Sequence, residues 1–103
     1  MIKRRYKGEA DLKLLQDFNA SALAVTDHCG YLHPGDIPHH IYNGNKYYNP
    51  AELLTIWEDD QGIAAWLLVN VRFKGFDAQV RPYCQHPILS ATFKWPLFQH
   101  LLI

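Results

Sequence analysis

Histidine and cysteine are the residues of this chain best suited to chemistry, and several of them cluster. His28, Cys29, His33, His39 and His40 lie close together, with Cys84 and His86 further on. Imidazole and thiolate side chains suggest a metal site first. Structural zinc sites are built from ligand pairs at tight spacing. His28-x4-His33 and His33-x5-His39 stand outside such paired patterns. No metal is therefore assigned, and the loop histidines are read as caps and hydrogen-bonding groups. A His/Cys metal-binding domain is kept as a third alternative.

Nucleophilic catalysis is the next candidate. Cys29 and Cys84 each have a histidine near in sequence, His28 and His86. Sequence neighbours seldom reach the geometry of a nucleophile and its base, and no oxyanion device accompanies them. No catalytic residue is assigned. Glu58, Asp59 and Asp60 form a carboxylate cluster next to Gly62, which reads as a solvated hairpin tip rather than an acid–base dyad. No G-x-G-x-x-G or Walker phosphate loop is present. The cations Lys3, Arg4, Arg5 and Lys7 are a candidate phosphate patch, but a basic edge strand is an ordinary defence against aggregation.

The elements that must position these groups can be read from periodicity. Residues 2–7 read as an opening strand. Residues 9–26 read as a helix, because Leu12, Leu15, Phe18, Ala22 and Val25 recur at steps of three and four. Glu9 and Asp11 complement its dipole, Cys29-Gly30 marks its end, and its role is scaffold alone. Residues 27–50 are turn-rich and dense in histidine and tyrosine, as loops that line sites tend to be. Within them Asp36 is expected to cap a short helix over residues 37–42, with Pro38 in its first turn.

Residues 53–81 read as a three-stranded antiparallel meander. Its first two strands are apolar on both alternating sets, which calls for helices on both sides of the sheet. The last strand differs. Phe76, Ala78 and Val80 face one way, while Asp77, Gln79 and Arg81 make a polar face on which a solvated ligand would lie. Residues 83–103 carry a single charge, Lys94, and form an apolar tail broken by Pro87 and Pro96.

At 103 residues, 49% hydrophobic and 14% aromatic, the chain is one domain with a real core. Formal net charge is zero, which gives no global case for nucleic acid or an anionic membrane and favours self-association. Two unpaired-looking cysteines and the lack of an apolar signal core lead us to expect a cytoplasmic protein. The longest charge-free apolar run, residues 63–69, is too short to span a bilayer. The fold class expected is α/β (α+β): a mostly antiparallel sheet in the order β-α-α-β-β-β with an apolar C-terminal tail.

Four phrases, in this order, resemble the first half of the GNAT superfamily, the acyl-CoA-dependent N-acetyltransferases. Ile2-Lys3-Arg4-Arg5-Tyr6-Lys7-Gly8-Glu9-Ala10-Asp11 looks like the family's opening strand and acidic helix start. His33-Pro34-Gly35-Asp36-Ile37-Pro38 is similar to an H-x-G-D-L phrase of some members. Leu54-Thr55-Ile56-Trp57-Glu58-Asp59 with Gly62 and Ala65-Trp66 looks like the second and third strands. Phe76-Asp77-Ala78-Gln79-Val80-Arg81-Pro82 resembles the fourth. The family-like stretch is 2–82, followed by a divergent tail, 83–103.

The resemblance implies acetyl-CoA as cofactor, lying along the backbone of Gln79, Val80 and Arg81, and an acceptor amine near His33 and Asp36. The family's Gly-containing loop, whose amides hold the pyrophosphate, should come next. Here that place holds Tyr83-Cys84-Gln85-His86-Pro87-Ile88, no glycine follows Gly75, and Pro87 removes a donor amide. The expectation is thus a truncated or frame-shifted N-acetyltransferase domain, inactive alone. The first alternative is a non-catalytic binding or oligomerisation module. A bare last strand and an apolar tail also lead us to expect a homodimer through that edge and tail.

Overall fold

The computed structural model of the chain describes residues 1–27, 30–43, 47–71 and 74–82. The apolar tail and its expected part in self-association lie outside these residues, as do His28, Cys29, Cys84 and His86. Among the described residues the sheet has four strands, β1 (Ile2–Arg5), β2 (Leu54–Asp59), β3 (Gly62–Asn70) and β4 (Gly75–Val80). They lie in the order β1-β2-β3-β4 with every neighbour antiparallel. The α+β class and the meander expected from sequence are therefore present. Among the described residues, no helix is long and apolar enough to cross a membrane.

Helix α1 (Glu9–Val25) follows β1 directly. Gly8, at φ 126, turns the chain, and its carbonyl accepts from the amides of Asp11 and Leu12 at 3.0 Å each. The buried line of α1 is Asp11, Leu15, Asn19, Ala22 and Leu23, displaced from the apolar stripe expected. Val25, placed in that stripe by periodicity, is 58% exposed. Two polar residues have taken inward positions because each finds bonding partners there, described below.

The loop that follows is helical earlier than expected. A 3-10 turn (Pro34–Asp36) is capped by His33, whose Nδ1 accepts from the Gly35 amide at 3.0 Å. Asp36 is therefore the last residue of that turn and does not cap the short helix expected over 37–42, although residues 37 and 38 are helical and run on into the next turn. Pro34, with its fixed φ, starts the turn three residues sooner. A π-helical turn (His39–Asn43) buries Ile41. A further short helix, α2 (Pro50–Leu53), is capped by Asn49, whose side chain accepts from the Ala51 amide. The sequence pattern placed residues 27–50 in a turn-rich stretch and opened the meander at 53, whereas Pro50–Leu53 are helical.

Tyr6, Leu15, Ile37, Ile41, Leu54, Ile56, Trp66 and Leu68 form the main core, between the sheet and α1 with the 34–43 turns. On the other face Trp57, Ala64, Ala65 and Leu67 cluster with Phe76, Ala78 and Val80, all strand residues. Helices were expected over both faces. Among the described residues, the helical elements contribute to the first cluster alone.

Two details set the sheet's shape. Trp57 pairs with Ala65 but Glu58 pairs with Ile63, so Ala64 is an extra residue and bulges β3. The hairpin tip is short: β2 runs to Asp59 and β3 begins at Gly62, φ 110. Glu58 and Asp59 are consequently strand residues with ion-pair partners, and not part of a solvated loop.

Candidate functional site

The groups with specific partners gather at the exit of β4. Asn19, fully buried on α1, is the hub. Its Nδ2 donates to the Leu32 carbonyl at 3.0 Å and to Gln79 Oε1 at 3.1 Å. Its Oδ1 accepts from Trp66 Nε1 at 3.1 Å. Gln79 Oε1 also accepts from the Leu32 amide at 3.0 Å, and Gln79 Nε2 donates to the Ala78 carbonyl at 2.9 Å. No buried side-chain polar atom among the described residues is left without a partner. A satisfied buried network of this kind fixes three elements in one arrangement, since any slip leaves a polar group unpaired in the core.

The polar face of β4 is thus not solvated as expected. Gln79 is 7% exposed, because α1 and the 31–32 loop supply hydrogen bonds that replace water. Asp77, on the same face, is half-buried with its Oδ2 3.7 Å from His40 Nδ1.

Arg81, just past β4, reaches back across the sheet. Its guanidinium binds Asp59 through two nitrogens, at 2.8 and 2.9 Å, and donates to the Ile63 carbonyl at 3.0 Å. This fork-to-fork pairing holds the Asp59 carboxyl down at about 2, with the Gln61 amide as the second cause. Between Arg81, Pro82 and the second half of α1 lies a cleft of about 280 Å³, lined by Phe18, Ser21, Ala22 and Val25.

The direction of the β4 backbone follows from one bond. The Arg81 amide donates to the Ala64 carbonyl at 2.8 Å, so position 81 turns toward β3. By strand alternation, and in register with the β3–β4 pairs, Gln79 also points inward while Val80 and Ala78 point to the outer edge. Of the three positions expected along acyl-CoA, Val80 alone presents its backbone outward, and its carbonyl accepts from the Tyr31 hydroxyl. His33 and Asp36 sit exposed on the 3-10 turn and make no hydrogen bond to Gln79 or Val80. Gln79, Val80 and Arg81 lie together, and His33 and Asp36 follow Leu32, whose backbone bonds Gln79 and Asn19, without themselves bonding Gln79 or Val80.

Two residues of this place escaped the sequence reading, Asn19 and Tyr31. Asn19 offered one signal, a polar residue four positions after Leu15 on a helix. Tyr31 offered only its loop position.

A second concave region, of about 260 Å³, is lined by Tyr6, Lys7, Gly8, Tyr42, Asn49, Pro50 and Ala51. In it the Tyr6 and Tyr42 hydroxyls lie 2.6 Å apart. Burial first, and then this bond, push the Tyr6 phenol well above its ordinary range. Nearby, Arg4 bridges two carboxylates, Asp11 at 2.7 and 2.8 Å and Glu58 at 2.6 and 2.7 Å. Asp11 also accepts from the Lys7 amide at 2.7 Å. The Arg4 hydrogen bond holds the Asp11 carboxyl below the usual carboxylate range.

Chemically, the exit of β4 offers amides, a guanidinium and a phenol. These groups bind and orient through hydrogen bonds. Among the described residues, no three His, Cys, Asp or Glu side chains converge to hold a metal ion. No family model, no curated protein and no solved structure matches the chain.

Proposed function

We propose that the chain carries the acceptor-side half of an acyl-CoA-dependent N-acyltransferase domain of the GNAT type and does not transfer acetyl groups alone. The observation behind this reading is topological. A strand leads straight into a helix on one sheet face, and a meander then adds three strands in sequence order, ending on β4, which is the sheet's border among the described residues. In the GNAT superfamily that border strand lies beside acyl-CoA. The inactivity follows from the residues after β4. No glycine follows Gly75, and Pro87 withholds an amide where the pyrophosphate would need one.

Acyl transfer of this kind depends on position. A deprotonated amine must be held against the thioester carbonyl. His33 and Asp36 are the acceptor-side candidates, and Val80 the residue whose backbone faces a cofactor. Titrating acetyl-CoA into the purified chain by calorimetry tests the reading. No measurable heat is expected, and affinity in the low micromolar range would overturn the loss of the cofactor site.

The alternative is a non-catalytic binding or oligomerisation module. It is favoured by the mutual saturation of Asn19, Trp66, Gln79 and Leu32 on the strand where a ligand was expected. Low-micromolar acetyl-CoA affinity would count against this alternative as well, because it would mean an intact acyl-CoA site. An elemental scan of the purified protein for zinc disposes of the metal-binding alternative if no metal co-purifies.

A further inference from the structure

The sheet face turned away from α1 is apolar across three strands. Strand pairing sets Trp57, Ala65 and Val80 in one row and Thr55, Leu67 and Ala78 in the next. Among the described residues no helix belongs to this cluster. Even so, Trp57 is 6% exposed, Leu67 5% and Ala65 not at all. The cross-strand partners of Trp57 are Lys3 and Ala65, and an alanine is too short to hide an indole. Something therefore lies over this face.

We propose that residues 83–103 of the same chain are its cover, seated over Trp57, Ala65, Leu67, Ala78 and Val80. The burial is present in a single chain, so a second copy is not what supplies it. Length narrows the choice further. Outside the described residues, 28–29, 44–46 and 72–73 are too short to cover side chains on three strands, and 83–103 is not. Reach is ample. The segment follows Pro82, just past β4, and the axes of β4 and β2 lie only about 10 Å apart.

Chemistry fits the same occupant. The segment carries one charge, Lys94, among Ile, Leu, Phe and Trp residues, and no carboxylate side chain. It has no acidic side chain to offer Lys3 and Arg5 on β1, so its place is over β2–β4 and not over the cationic border. The alanines of β3 and β4 leave room that bulky side chains fill to interior density. Tethering keeps the segment at an effective concentration on the order of millimolar, so the cover holds at any dilution of the protein.

Two measurements on the full chain test this, and neither involves acetyl-CoA. In a Trp95→Phe chain the tryptophan emission comes from Trp57 and Trp66, both buried, so acrylamide should quench it weakly. Adding Ala78→Arg sets a charge on the half-buried part of the face, beside Leu67, and is expected to raise quenching severalfold by displacing the segment. Hydrogen exchange read by mass spectrometry is the second measurement. Buried amides are paired, so residues 83–103 should be protected in the wild type, equally at roughly 2 and 200 μM. Ala78→Arg should remove that protection and leave β2 and β3 protected. Should Ala78→Arg fail to fold, Leu97→Asp with Leu101→Asp displaces the segment from its own side, with the same readouts. Strong quenching in the Trp95→Phe chain, wild-type exchange of 83–103 at unfolded rates, or protection seen only at the higher concentration overturns the proposal. So does a folded displacing variant in which either readout is unchanged.

Discussion

Asn19 and Asp11 are polar residues on the buried side of a helix, and each is there because of a partner far along the chain. Asn19→Ala would leave the Trp66 Nε1, the Leu32 carbonyl and part of Gln79 without partners, costing about 3 kcal/mol at the usual 1–3 kcal/mol per orphaned group. Urea unfolding followed by tryptophan emission measures this. Asp11→Ala leaves Arg4 with Glu58 alone and should cost about 2 kcal/mol, less than a fully buried pair because Glu58 remains. Neither role was legible in sequence. Asp11 was read as a complement to the helix dipole, since its bond to Arg4 exists only once β1 is paired and α1 is seated.

The carboxylates also set the acid limb of stability. Asp11 and Asp59 both have folded-state values below the ordinary range, Asp59 at about 2. A lowered value means the unfolded chain binds the proton more readily. The contribution is therefore complete above the unfolded value, about 4, and is lost as pH falls through the folded one. Urea midpoints should be flat from pH 7 to about 5 and fall between about pH 4 and pH 2. Asp59→Asn should flatten part of that fall, and an unchanged pH profile would count against the Arg81 pairing.

At the scale of elements, the meander was legible because alternation and the Gly62 turn act within a few residues. Helix α1 was legible in extent but not in facing. A stripe of Leu12, Leu15, Phe18, Ala22 and Val25 suits periodicity, whereas the sheet turned the helix so that Asp11 and Asn19 met their partners. Helix α2 was missed because four residues carry no periodicity. Its one signal was Asn49 before Pro50, a cap followed by the residue suited to the first turn. Asn49→Ala should cost about 1 kcal/mol. Gly62→Ala should cost about 1–2 kcal/mol, since φ 110 is closed to a residue with a Cβ. Both are measured as shifts of the urea midpoint. The bulge at Ala64 was beyond sequence, because an extra residue is defined only against the strand beside it.

For the whole molecule, the place where three elements meet is the exit of β4. Gln79 comes from the last strand, Asn19 from the first helix and Leu32 from the loop between layers, so the site coincides with the point that holds the fold together. Sequence patterning placed Gln79 and Val80 on the strand correctly, whereas Arg81 lies just past its end. It could not reveal that Gln79 faces a covering loop, because burial depends on what is laid over the strand.

Strand β1 is at the opposite border of the sheet, and Arg4 meets Glu58 across 54 positions of chain. The meander, in contrast, closes through short connections. Loop-closure entropy then orders the folding events: β2, β3 and β4 can zip locally, while β1 docks late. Arg4→Lys should speed unfolding and leave the refolding rate almost unchanged, whereas Ile56→Val should slow refolding. Stopped-flow chevrons separate the two. The strand that is synthesised first would then be the last to find its place, and the half-made protein would expose the β2 edge until β1 arrives.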